Sequence, residues 1–170
     1  RTMYQQLIKD FIQQERLPST YLEDATQCFL PLVSDIKAEL QSNRQSPLII
    51  GINGAQGTGK STLANLLSSL LACSGQRVAN LSIDDFYYSK AKRQELAERI
   101  HPLLRSRGVP GTHDVDLALH VLKQLAEAGP EQQVTLPGFD KSLDDCRPID
   151  ACQQLHGPID IIILEGWCIG

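Results

Sequence analysis

The sequence lacks any apolar run of membrane-spanning length: its most hydrophobic stretches, Leu48-Ile49-Ile50 and Ile161 to Leu164, fall far short of the roughly 20 residues that a spanning helix needs. No basic segment followed by an apolar one opens the chain, so neither a signal peptide nor an anchor is expected and the expected location is cytoplasmic. An excess of positive charge is also missing. With 16 basic against 20 acidic side chains, a net charge of −4 and an isoelectric point near 5.5, the chain has no broad cationic footprint. Neither nucleic acid nor membrane is an expected partner, although a locally basic phosphate site is permitted. The five cysteines, Cys28, Cys73, Cys146, Cys152 and Cys168, form no C-x-x-C pair and have no spaced histidine pair beside them, which excludes the common zinc patterns and predicts reduced thiols without chemistry. What remains is ordinary: 170 residues, 42% hydrophobic and 21% charged, are enough for one α/β domain with a real core.

The apolar residues Tyr4, Leu7, Ile8, Phe11 and Ile12 recur at helical spacing and stop before Pro18. A second set from Tyr21 to Leu40 does the same, with Pro31 inside it predicting a kink or break. These helices make an N-terminal extension over 1–46. The polar stretch from Gln41 to Pro47 reads as a linker, and a core over 47–170 follows. In that core, Leu48 to Ile52, Val78 to Ile83 and Ile159 to Leu164 read as strands too apolar for a solvated face, implying a parallel sheet covered on both sides. Helices are expected over Lys60 to Cys73, Ser89 to Leu104 and Asp114 to Ala128. The Asp-rich stretch near Asp140 reads as a loop. The fold class is therefore α/β, a doubly wound parallel sheet with an N-terminal helical extension.

Between the first strand and its helix stands Gly54-Ala55-Gln56-Gly57-Thr58-Gly59-Lys60-Ser61-Thr62, which fits G-x-x-x-x-G-K-[ST] in the context that motif requires. The glycines let successive amides turn inward as an anion nest, and the helix N-terminus adds its positive end. Lys60 is expected to reach the terminal phosphates of a nucleoside triphosphate, with the Ser61 hydroxyl as a ligand of Mg²⁺. Ligands of open α/β sheets sit at the carboxyl ends of strands, so acids there belong to the same crevice. Glu165 follows the third strand as a metal or water ligand. Asp84, after the second, is the candidate to accept the proton of an alcohol during phosphoryl transfer and belongs with Ser61 and Glu165 in the expected metal set. Asp85 either faces the crevice or instead points away or caps the following helix, and Phe86 and Tyr87 wall the pocket. Lys90, Lys92 and Arg93 either approach phosphates or form a solvated helical face.

The combination of Gly54 to Ser61, Asp84-Asp85-Phe86-Tyr87 and Glu165-Gly166 resembles the phosphoribulokinase, uridine kinase and pantothenate kinase superfamily. Within it, Arg107-Gly108-Val109-Pro110-Gly111-Thr112-His113-Asp114, Pro137-Gly138-Phe139-Asp140-Lys141-Ser142 and Glu165-Gly166-Trp167-Cys168 resemble the plant and fungal D-glycerate 3-kinases and their bacterial relatives. The resemblance covers about Leu48 to the end of the chain. It implies that Lys60 and Ser61 bind Mg-ATP and that Asp84 acts as base. It further implies that the loop around His113 and the segment Asp140-Lys141 with Arg147 line an acceptor site that also draws on Asp85 and Tyr87.

The implied reaction is transfer of the γ-phosphoryl group to D-glycerate to give 3-phosphoglycerate. Two alternatives stand beside it: another small acceptor such as a nucleoside, pantothenate or sugar acid, and a nucleotide switch without an alcohol acceptor. Against the switch, the chain carries neither an Asn-Lys-x-Asp guanine-reading pattern nor a Leu-Ser-Gly-Gly signature. The chain stops at Trp167-Cys168-Ile169-Gly170, directly after a central strand. It is expected to be a piece of a longer kinase, with adenine contacts, lid and any arginine that stabilises the transferring group outside it.

Overall fold

The computed structural model describes residues 2–42 and 47–169. The middle of the expected linker, residues 43–46, and with it the expected boundary between 1–46 and 47–170, lies outside the described residues. Helix α1 (Thr2–Gln14) is followed by a helical run made of α2 (Tyr21–Asp24), a π turn (Ala25–Phe29) and α3 (Leu30–Ser42). The disruption expected at Pro31 takes the form of that π turn. Proline has no amide hydrogen and its ring crowds the carbonyl four residues back, so the coil widens just ahead of it, and the Leu30 amide reaches back to Ala25 O.

Strand β1 (Leu48–Asn53) leads through the glycine loop to α4 (Lys60–Cys73), then β2 (Val78–Ser82) and a 3₁₀ turn (Ile83–Phe86). The stretch expected as one helix from Ser89 is α5 (Lys90–Arg99) plus a 3₁₀ turn (Pro102–Arg105). Pro102 forces His101 into an extended conformation, φ −157°, and ends the helix before it. Helix α6 (Val115–Glu127) starts on its Asp114 cap, whose side chain accepts from the Leu117 amide at 2.9 Å. The Asp-rich stretch near Asp140, expected as a loop, is itself a short ribbon, and the whole segment after α6 carries strands for which the sequence raised no expectation. It holds β3 (Gln133–Leu136), β4 (Phe139–Asp140), β5 (Asp145–Cys146) and β6 (Gln153–His156), paired antiparallel as β3 with β6 and β4 with β5. The last strand is β7 (Ile161–Gly166).

The parallel sheet runs β1-β7-β2, and its register sets Glu165 opposite both Ile52 and Ser82, so the three strands end at one level. Alternation along β7 feeds two cores. Ile161 and Ile163 pack with Ile8, Val33, Leu66 and Leu70 on one side; Ile162 packs with Leu81, Val121 and Leu125 on the other. Each such side chain contributes about 1.5–3 kcal/mol by leaving water. Helices α1 and α3 thus share a core with α4 and the sheet. Coverage on both faces holds for β7; on β1, α1, α3 and α4 all pack against the side carrying Leu48, Ile50 and Ile52, and Ile49 on the other side is 59% exposed among the described residues.

Candidate active site

The glycine loop crosses the carboxyl end of the sheet. Gly57 and Gly59 hold φ of 77° and 86°, a left-handed conformation that costs other residues about 1–2 kcal/mol. Helix α4 makes its first backbone bond from the Leu63 amide to Gly59 O at 2.9 Å, so the amides of Lys60, Ser61 and Thr62 have no acceptor within the helix and stand at its positive end. Lys60 Nζ folds back to donate to Ala55 O at 2.8 Å, and the Thr58 hydroxyl donates to the same oxygen at 2.8 Å. This ammonium is thus parked on a neutral carbonyl that a phosphate oxygen outcompetes.

The acids stand beside the loop. The Ser61 hydroxyl donates to Glu165 Oε1 at 2.8 Å, and Glu165, on β7, is buried. Asp84 lies in the 3₁₀ turn after β2, with its amide donating to the Ser82 hydroxyl at 3.2 Å. Asp85 does not cap the following helix, whose cap is Ser89; it closes the 3₁₀ turn that contains it, the Ser82 amide donating to its Oδ2 at 3.1 Å and the Phe139 amide bonding it as well. Burial raises its pKa against those amides and the Arg147 charge, with the Asp84 charge adding a little to the rise. Among the described residues no three His, Cys, Asp or Glu side chains converge on a metal site. A hydroxyl and one or two carboxylates next to a phosphate cradle is the donor set that suits Mg²⁺, which keeps waters and phosphate oxygens as its other ligands.

Two clefts meet at these acids. The first, about 450 Å³, runs from Gln56, Gly57 and Lys60 to Tyr87, Arg107 and Trp167. The second, about 720 Å³, lies between Asn65, Asn80, Phe139 and Arg147. Ser61, Ser82, Asp84, Lys141 and Glu165 line both. At the junction Lys141 Nζ sits 2.7 Å from Asp84 Oδ2. Other expected acceptor residues divide. Arg147 lines the second cleft, packed on Gly138. Asp140 also borders it, but its Oδ1 accepts from the Ser142 amide at 2.8 Å, the Ser142 hydroxyl at 2.5 Å and the Leu143 amide at 3.1 Å. Those bonds hold its carboxyl below the usual range and shape the β4–β5 turn.

Tyr87 faces the first cleft, its hydroxyl held protonated to higher pH by burial and by the nearby Asp84 charge. His113 stands one layer back, stacked on Tyr87 with ring centroids 4.1 Å apart, and borders neither cleft. Its buried Nε2 has no hydrogen-bond partner among the described residues, and burial lowers its pKa although the Asp84 charge opposes this.

Lys90 and Lys92 are exposed and fit the solvated helical face, but Arg93 overturns both readings for itself. It neither approaches phosphate nor faces solvent: it is 1% exposed, and donates to Tyr88 O at 3.1 Å, Arg105 O at 2.9 Å and Asp144 O at 2.6 Å. Lys92 instead pairs on the surface with Glu95 at 2.9 Å. Arg107, which the sequence reading assigned no role, lines the first cleft. Its position beside Gly108, in a segment joining α5 to α6, was the available signal.

A family model described as KAP family P-loop domain matches residues 31–115, half of the chain. Among curated relatives, "Uncharacterized kinase mug58" of Schizosaccharomyces pombe is 43% identical over 132 residues, 73% of this chain and 47% of its own length. The chloroplastic D-glycerate 3-kinase of Arabidopsis thaliana is 32% identical over 131 residues, 73% of this chain and 29% of its own. A solved D-glycerate 3-kinase from Cryptococcus neoformans superposes with a TM-score of 0.69 at 34% identity, covering 81% of this chain and 51% of that one. The chain thus spans about half or less of the length of these relatives. By the matched model the chain belongs to the KAP family P-loop domain, and its relatives place it among P-loop kinases similar to D-glycerate 3-kinase.

Proposed function

We propose that this chain carries the nucleotide-phosphate and acceptor faces of a kinase that transfers the γ-phosphoryl group of Mg-ATP to D-glycerate, giving 3-phosphoglycerate. The observation that carries the proposal is the Asp84–Lys141 pair at 2.7 Å, where the phosphate-loop cleft meets the second cleft. An alcohol bound there has a base for its proton, and a hydroxy acid has a cation for its carboxylate. The loop amides and Lys60 hold the phosphates. Ser61, Glu165 and Asp84 would hold Mg²⁺, which would neutralise charge on the phosphate oxygens. Asp84 orients the acceptor hydroxyl and takes its proton as the new O–P bond forms, while the bond to the β-phosphate oxygen breaks and ADP leaves. Lys141 and Arg147 grip the acceptor carboxylate; Tyr87 and Trp167 close the apolar wall.

The volume of the second cleft, about 720 Å³, also admits a longer hydroxy acid such as pantothenate, which is the second reading. Coupled ADP release by the full-length protein with Mg-ATP, comparing no acceptor, D-glycerate, pantothenate, nucleosides and sugar acids, separates them. Stimulation by D-glycerate alone supports the proposal. Stimulation by another acceptor moves the substrate, and ATP hydrolysis that no acceptor stimulates replaces the kinase by a switch.

A further inference from the structure

Removing a guanidinium from water is costly unless its donors are met, and Arg93 is buried for no purpose that phosphate binding or the sheet supplies. Its partners explain it. Asp144, whose backbone holds φ 55°, takes Arg93 Nη2 at 3.1 Å and Arg107 Nε at 3.2 Å on the same oxygen, Oδ1. Both arginines flank the ring of Phe139, with guanidinium carbons 5.7 and 5.4 Å from its centroid. Arg107 Nη1 also donates to Lys141 O at 3.3 Å. One buried arginine thus fixes an aspartate that aims a second arginine and steadies the backbone of Lys141.

We propose that Arg107 is a further residue of the phosphoryl-transfer centre, held toward the phosphate-loop cleft by Asp144 and, through Asp144, by Arg93. The inference rests on the kinase reading above. Three cations line that cleft, Lys60, Lys141 and Arg107; Lys141 is assigned above to the acceptor carboxylate, and Lys60 approaches from the loop side. Arg107 lines the same cleft beside the Lys141 backbone and is 31% exposed. Charge on a transferring phosphoryl group is spread over its equatorial oxygens, and a planar fork of N–H donors fixed beforehand suits them better than a mobile ammonium. Arg107 donates hydrogen bonds only; no bond is made or broken on it. Arg93 and Asp144 are positioning residues.

The test uses the full-length protein with Arg107→Ala, Arg107→Lys and Asp144→Asn. Steady-state ADP release is measured alongside calorimetric titration with ADP alone and with ADP plus aluminium fluoride. Arg107→Ala is expected to lower acceptor-dependent kcat at least about 100-fold with the KM for ATP within about threefold, as loss of a donor to the transition state does. Its affinity for ADP with fluoride falls at least tenfold while that for ADP alone stays within twofold. Arg107→Lys restores less than a tenth of the activity, and Asp144→Asn gives an intermediate loss. A kcat for Arg107→Ala within threefold of wild type, or equal losses for both ligands, overturns the assignment. Failure of the kinase reading is separately visible as a wild type that no acceptor stimulates, and the calorimetric pair decides on Arg107 there too.

Discussion

Replacing Lys141 by alanine separates what its ion pair does for the fold from what it does for the acceptor. The pair with Asp84 is short, 2.7 Å, but the lysine side chain is 65% exposed, so water screens it and its worth to stability is at most about 1 kcal/mol. For a domain of this size that is a shift in Tm of no more than about 2–4 °C. Binding is another matter. A charged hydrogen bond from Lys141 to a substrate carboxylate contributes about 1.5–3 kcal/mol, equivalent to roughly 10–150-fold in affinity. Initial rates of ADP release against acceptor concentration should therefore show the acceptor KM raised by that factor, with the KM for ATP within about threefold. A thermal scan of the same sample should move little. An acceptor KM within twofold of wild type, or a Tm lowered well beyond 4 °C, would refute the reasoning.

Arg93→Met should behave oppositely, since it strips donors from three buried-side carbonyls and Asp144. A loss of about 3–5 kcal/mol is expected, read by chemical denaturation, and a loss below about 1 kcal/mol contradicts the clasp. Asp85 sets a pH dependence. Its folded pKa lies above the ordinary 3.8 because of burial, so the native state binds the proton more tightly than the unfolded one. Stability therefore falls as pH rises from about 3.8 through that raised value, then levels off. Asp85→Asn keeps an acceptor for the Ser82 and Phe139 amides and should flatten this fall in melts across the acidic range; parallel curves for variant and wild type would exclude Asp85 as its source.

What was legible in the sequence is what local spacing encodes. The phosphate loop, the leucine face of α4 and the apolar run of β7 each announce themselves within a dozen residues, and the register that sets Ser82 and Glu165 side by side follows from strands ending at a common edge. The ribbons after α6 were hidden because β4 and β5 have two residues each and β6 begins with two glutamines, and the alternation of β3 is only four residues long. Arg93 was misread for a related reason: its partners Arg105 and Asp144 lie 12 and 51 residues away, and helical spacing carries no trace of them. Pro31 announced a disruption, but a π turn and a break leave the same pattern. For Asp84 and Asp85 the sequence offered two neighbouring carboxylates, and only the Ser82 and Phe139 amides distinguish the one that closes the turn.

The central claim is that Asp84 serves phosphoryl transfer to a small hydroxy acid on this phosphate loop. Its most direct test is ADP release by the full-length protein with Mg-ATP and D-glycerate, wild type against Asp84→Asn, with ATP affinity measured in parallel. The account predicts that wild-type turnover requires the acceptor, and that the variant binds ATP within about threefold of wild type yet turns over at least about 100-fold more slowly. A variant that keeps its rate, or a wild type that releases ADP equally well without an acceptor, would contradict it.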